Sequence, residues 1–260
     1  MKPFLGAFYY EFLMQVRRPA VWIIICFIAV LTVSLYLSDS GYFSFLVEVQ
    51  KQQPLANAIM LISIAQYLLP VCVGCLLADR LVYDRKTRVE ELLTTMPTTL
   101  SARLLGKYCG SLLATLLPIL LLLLSGATYI YIRTAIFLIY PLTLLIFLCT
   151  ALPGLCFVAA FSLACPRVIW IPLYQFLFIG YWFWGNMLDN TGIPTLSSTI
   201  LTPLGGFIMA GLFGHSAFVP ARVTHATLFD AIASITVLLI LAMLVLGALI
   251  ALMKWQQTHQ

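Results

Sequence analysis

Six long apolar stretches run through this chain, and polar residues gather between them. Residues 21–37, 56–78, 108–130, 136–163 and 231–253 are plain apolar runs, and a sixth, 168–184, is shorter but uncharged. A helix that crosses a bilayer needs about 20 predominantly apolar residues, with roughly 17 to 25 in use. Continuous runs predict helices, whereas a membrane barrel would show weak ten-residue alternations. The pattern thus predicts an all-α integral membrane protein, with six transmembrane helices in a single membrane domain spanning 1–260.

Two further elements follow from the same pattern. Over residues 3–18, Leu5, Phe8, Tyr9, Phe12, Leu13 and Val16 recur at the i, i+3, i+4, i+7 spacing of one helical stripe, with Glu11, Gln15, Arg17 and Arg18 off it. This predicts an amphipathic helix lying in the membrane interface, ended by Pro19. The long stretch 185–230 holds a strongly apolar piece, residues 200–214, interrupted by Pro203, Gly205 and Gly206. Fifteen residues are too few to span comfortably, so the expectation is a re-entrant or interfacial segment on the outer side, before span six.

Between spans two and three the pattern changes most. Residues 79–107 hold Asp79, Arg80, Asp84, Arg85, Lys86, Arg88, Glu90, Glu91, Arg103 and Lys107, in a chain with only 14 Lys and Arg and nine Asp and Glu. Thr87 and Glu90 have capping-box spacing, and Pro97 disfavours helix at Met96, so a short helix over 88–95 is expected. Ser101 offers the N-cap of a helix that runs through Lys107 into the third span.

Charge sets the orientation. Placing the N-terminus, the 79–107 loop, the 165–167 turn and the C-terminal tail in the cytoplasm puts all Lys and Arg there except Lys51, Arg133 and Arg222. The expectation is a multi-pass protein of the cell (inner or plasma) membrane with both termini cytoplasmic. The net charge of +5 is then an orientation signal, and no nucleic-acid partner is needed to explain it. A cleaved signal peptide fits residues 1–40 poorly, because the apolar run is long and no small-x-small site follows it.

Candidate chemistry is sparse. The nearest approach to a phosphate loop is Gly106-Lys107, which is followed by Tyr108 and has Ser101 where the first glycine should stand. The expectation is therefore no nucleotide site and no enzymatic activity in this chain, and no catalytic or metal-binding residues. Cys72-x-x-Cys75 lies in an apolar span without a second pair, and reads as helix packing before redox or metal chemistry. His215, His225 and His259 have no metal-ligand spacing. The seven cysteines fall in or at the ends of spans, so no disulfide framework is implied. No ionisable residue sits in the middle of a span, which argues against a proton- or sodium-driven carrier. Gln66, Tyr174 and Gln175 are the candidate residues of a mostly apolar substrate path, with helix-to-helix hydrogen bonding as the competing use. Gly106-x-x-x-Gly110 puts two small residues on one face and predicts a close helix approach.

With these features in place, the whole chain resembles the type-2 ABC exporter permeases. The most specific stretch is DRLVYDRKTRVEELLTTMPTTLSARLLGK, residues 79–107. Mixed charge is followed by a glutamate and two leucines, a proline, and Gly-Lys entering a span, carried here by Glu90 or Glu91, Leu92, Leu93, Pro97, Gly106 and Lys107. The Gly-Thr that often precedes the glutamate is replaced by Lys86-Thr87 or Arg88-Val89.

The resemblance implies a permease that works as a homodimer or heterodimer with a second permease, in a lipid bilayer, with separate cytoplasmic ABC ATPase subunits. ATP and Mg would be bound by those partners and no cofactor by this chain. The 79–107 loop would be the coupling element, with Arg88, Glu90, Glu91, Leu92, Leu93 and Pro97 facing the ATPase. Export of a hydrophobic or amphipathic substrate (drug, peptide or lipid) by alternating access is the implied function. The alternative is a non-transport membrane scaffold or sensor that recruits a cytoplasmic partner through the same loop. An integral membrane enzyme is a third class, without positive support.

Overall fold

The computed structural model describes residues 2–37, 53–86, 99–188, 195–197, 199–214 and 225–259. All regular structure among them is helical. In chain order the helices are α1 (Lys2–Val16), α2 (Pro19–Leu37), α3 (Pro54–Leu77), α4 (Arg80–Lys86), α5 (Leu100–Thr134), α6 (Ile139–Ile146), α7 (Leu152–Ala164), α8 (Ile171–Met187), α9 (Gly206–Phe213) and α10 (Leu228–Thr258). A π-helical turn, Phe147–Ala151, joins α6 to α7, and a 3-10 turn, Cys165–Arg167, follows α7.

Four stretches are long and apolar enough to cross a membrane: Pro54–Tyr83, Leu100–Thr134, Ile139–Arg167 and Leu228–Thr258. A fifth arises if Phe4–Val16 and Pro19–Val30, which meet at a 57° bend, form one broken span. The described helices thus support four or five crossings by length and composition, where the sequence pattern predicts six. The predicted fifth span is α8, only 17 residues long, about 25 Å at 1.5 Å per residue.

α10 shows how little of a span this fold buries. Ala231, Ser234, Leu238, Ala242, Leu246, Leu249 and Met253 are inward, a seam advancing by three or four residues. Phe229, Ile240, Met243 and Leu244 on the same helix are exposed. In water such a surface would drive association; against acyl chains it carries no such penalty. The helix starts in a capping box in which Asp230 N–H donates to Thr227 Oγ1 at 3.3 Å and Thr227 N–H to Asp230 Oδ2 at 2.9 Å. The box expected at Thr87 and Glu90 lies outside the described residues. At α5, Thr99 and not Ser101 occupies the N-cap, with no side-chain cap bond.

The Gly106-x-x-x-Gly110 expectation has a clear structural counterpart. A Cβ on Gly106 would sit 2.9 Å from the Phe4 carbonyl oxygen, and one on Gly110 2.6 Å from that of Phe8. Both glycines admit the backbone of α1, and α1 and α5 form the most extensive helix pair among the described residues.

The polar face assigned to α1 needs correction. Glu11 and Gln15 lie off the apolar stripe and are expected on the solvated side, yet Glu11 is 4% exposed and Gln15 0%, while Leu5 and Tyr9 are more than half exposed. The apolar stripe is exposed or half-buried, in keeping with a helix lying in the membrane interface; what differs is that Glu11 and Gln15 are covered by protein and do not face water. Beside a bilayer the outside is apolar, so leucine and tyrosine face outward and a carboxylate turns inward to find partners.

Candidate functional site: the loop stems and the mid-bundle polar node

Glu11 is where three elements meet. One carboxylate oxygen, Oε1, lies 2.8 Å from Arg80 Nη2, and the other, Oε2, lies 3.7 Å from Lys107 Nζ. Arg80 is the first residue of α4 and Lys107 is in the second turn of α5, so they stand on the two stems of the charged loop. The Arg80 and Glu11 side chains are 1% and 5% exposed. Both loop stems are therefore gripped by one carboxylate carried on α1.

A second, wetter contact repeats the arrangement one step along. Arg18, in the turn between α1 and α2, donates to Asp79 through Nη1–Oδ1 at 3.3 Å and Nη2–Oδ2 at 3.0 Å. This pair is 28% and 39% exposed, so it orients the junction more than it stabilises it. Nearby, α4 touches the 3-10 turn, and Arg167 of that turn donates to Gln256 Oε1 at 3.3 Å. The N-terminal helix, both loop stems, the 165–167 turn and the end of α10 thus gather at one end of the bundle. These are the four segments that charge counting assigned to one side. Arg88, Glu90, Glu91, Leu92, Leu93 and Pro97, expected from the resemblance to face an ATPase, lie outside the described residues.

The polar residues singled out for a substrate path sit deeper, and the structure does not bring them to one point. Gln66, near the middle of α3, is 3% exposed and donates through Nε2 to the Pro203 carbonyl at 3.3 Å and the Thr150 carbonyl at 3.4 Å. Gln175 on α8 donates to the Cys75 carbonyl at 3.3 Å, and the neighbouring Tyr174 hydroxyl pairs with Ser162 at 2.9 Å. Cys75 lies nine residues beyond Gln66, about 13 Å along the helix. Each of the three side chains ties one helix to another element. Gln66 also borders a narrow apolar crevice with Leu69, Pro70, Leu123, Phe147 and Leu155, scarcely large enough for one water.

The backbone around Gln66 is irregular in three places. Pro70 has no N–H to offer the Gln66 carbonyl. The π-helical turn widens the α6–α7 helix at Thr150. The segment 199–205 reaches in from the bundle end, followed by α9, which is eight residues long and at about 12 Å far too short to cross. Ile208 and Met209 of α9 are buried, and Ser63 Oγ lies 3.3 Å from Met209 Sδ. Ser234 donates to the Ile200 carbonyl at 2.7 Å and Thr202 to Asn186 Oδ1 at 3.1 Å. The glycine and proline interruptions in 200–214 signalled a broken segment; nothing in the sequence paired it with Gln66.

Among the described residues, no group of three or more His, Cys, Asp or Glu side chains is placed to hold a metal ion. Cys72 and Cys75 are free and partly buried on α3. The chain matches no family model, no curated protein and no solved structure.

Proposed function

We propose that this chain is the permease subunit of an ATP-driven exporter, with a separate cytoplasmic ATPase docking on the 79–107 loop. The observation that carries the reading is the grip of Glu11 on both stems of that loop. A partner that only needs a landing site can use a loose loop. A partner that must move membrane helices needs a loop whose ends are fixed to them. Here a push on the loop reaches α1, the α3–α4 junction and α5 through buried ion pairs, and the Gly106 and Gly110 contacts then carry it along α5. Fixed stems favour this reading over the scaffold or sensor alternative.

In this proposal the chain makes six crossings, with α2 and the short α8 completing the set, and the end that holds Glu11 is cytoplasmic. The segment around α9 is re-entrant from the outer side. Two such chains, or one with a second permease, enclose the pathway, and the exposed apolar faces contact lipid and the partner. The substrate is hydrophobic or amphipathic, in keeping with the absence of ionisable residues from the middle of the spans. ATP and Mg belong to the partner ATPase. Mild-detergent purification of the full chain from its native membrane, followed by identification of co-purifying proteins, tests this reading. An ABC ATPase in stoichiometric amount is the expected result, and a different soluble partner would favour the scaffold.

A further inference from the structure

We propose that the Gln66 carboxamide is a latch that sets how deeply the 199–214 segment is inserted into the bundle. Its one nitrogen carries two hydrogens, and each is spent on a backbone carbonyl of a different irregular element, Pro203 of the inserted segment and Thr150 of the π-helical turn. The amide cannot turn over without facing its own carbonyl oxygen with both acceptors, so its orientation is fixed by what it holds.

Two glycines delimit the helix of the inserted segment. Gly205 at φ +69° and Gly214 at φ +65° bracket α9, and both are left-handed conformations that glycine enters freely. The approach of Pro203 depends on Gly154, because a Cβ there would collide with the Pro203 carbonyl oxygen. A carbonyl released at this depth must find another donor, since lipid supplies none. The inference needs no ATPase and stands apart from the exporter reading.

The test uses the full chain in liposomes with Ile208, fully buried on α9, replaced by cysteine. Labelling by a membrane-impermeant maleimide is read peptide by peptide by mass spectrometry, so the native cysteines do not interfere. Gln66→Leu, which removes the donors, should raise labelling at position 208 by about fivefold or more, the response to losing a contact of ordinary strength. Gly154→Ala, which displaces the acceptor while leaving Gln66 intact, should do the same, and the two together should add little. Ile119→Cys, buried on α5 away from the segment, should stay unlabelled throughout. Parent-level labelling at 208 in either variant overturns the latch. So does an equal rise at 119, which would report general loosening.

Discussion

Glu11 and Arg80 lie 69 positions apart in sequence and meet at 2.8 Å with almost no exposure of either side chain. A buried pair of this kind is weak evidence of stability by itself, because desolvation offsets much of the attraction. Its consequence appears when one partner is removed. Glu11→Ala leaves Arg80 and Lys107 without that carboxylate and should cost about 3–5 kcal/mol. Asp79→Asn, at the half-wet Arg18 pair, should cost less than about 1 kcal/mol. Thermal unfolding of the two variants in detergent checks the contrast; equal losses would mean that burial does not distinguish the pairs.

The approach of α1 to α5 makes a second prediction. Gly110→Ala should destabilise by about 1–3 kcal/mol, the usual cost of overpacking, because its Cβ would press on the Phe8 carbonyl. Gly6→Ala on α1 meets nothing within 4 Å and should be neutral or stabilising by about 0.5–1 kcal/mol. The same melting measurement reads both, and a stable Gly110→Ala protein would deny the close packing.

Much of this was legible in the sequence, and the failures have physical causes. Runs such as 108–130 and 231–253 are set by bilayer thickness, and they reappear inside α5 and α10. Gly106 and Gly110 were readable because only small residues let backbones touch. The burial of Glu11 and Gln15 was not readable, because periodicity marks them as off the apolar stripe without showing what covers that side of α1. The partnership of Gln66 with Thr150 and Pro203 was hidden for another reason. It joins residues 84 and 137 positions apart, through a π-helical turn that leaves no signature in composition.

The three candidate path residues separate two uses. If Gln66, Tyr174 and Gln175 line a substrate route, replacing each by leucine should alter transport while the complex with the ATPase still assembles. Loss of assembly would assign them to the helix-to-helix ties in which they are found.

Sidedness is testable with introduced cysteines. A cysteine near Arg88 should react only from the cytoplasm, and one within residues 40–51 only from outside. Reaction near Arg88 from outside would invert the six-crossing arrangement proposed here.

The central claim is that the 79–107 loop couples this chain to an ATPase, and Glu90 and Glu91 test it most directly. In the first turn of the helix expected there, negative charge is favourable by about 0.3–1 kcal/mol each, and positive charge opposes the helix dipole. The measurement is ATPase co-purification and ATP-stimulated transport by the Glu90→Lys/Glu91→Lys double variant, inserted in the membrane at normal level. Both should fall sharply while insertion is retained, since the spans are untouched. Parent levels of both would contradict the account, because the loop gripped by Glu11 would then not be the coupling element.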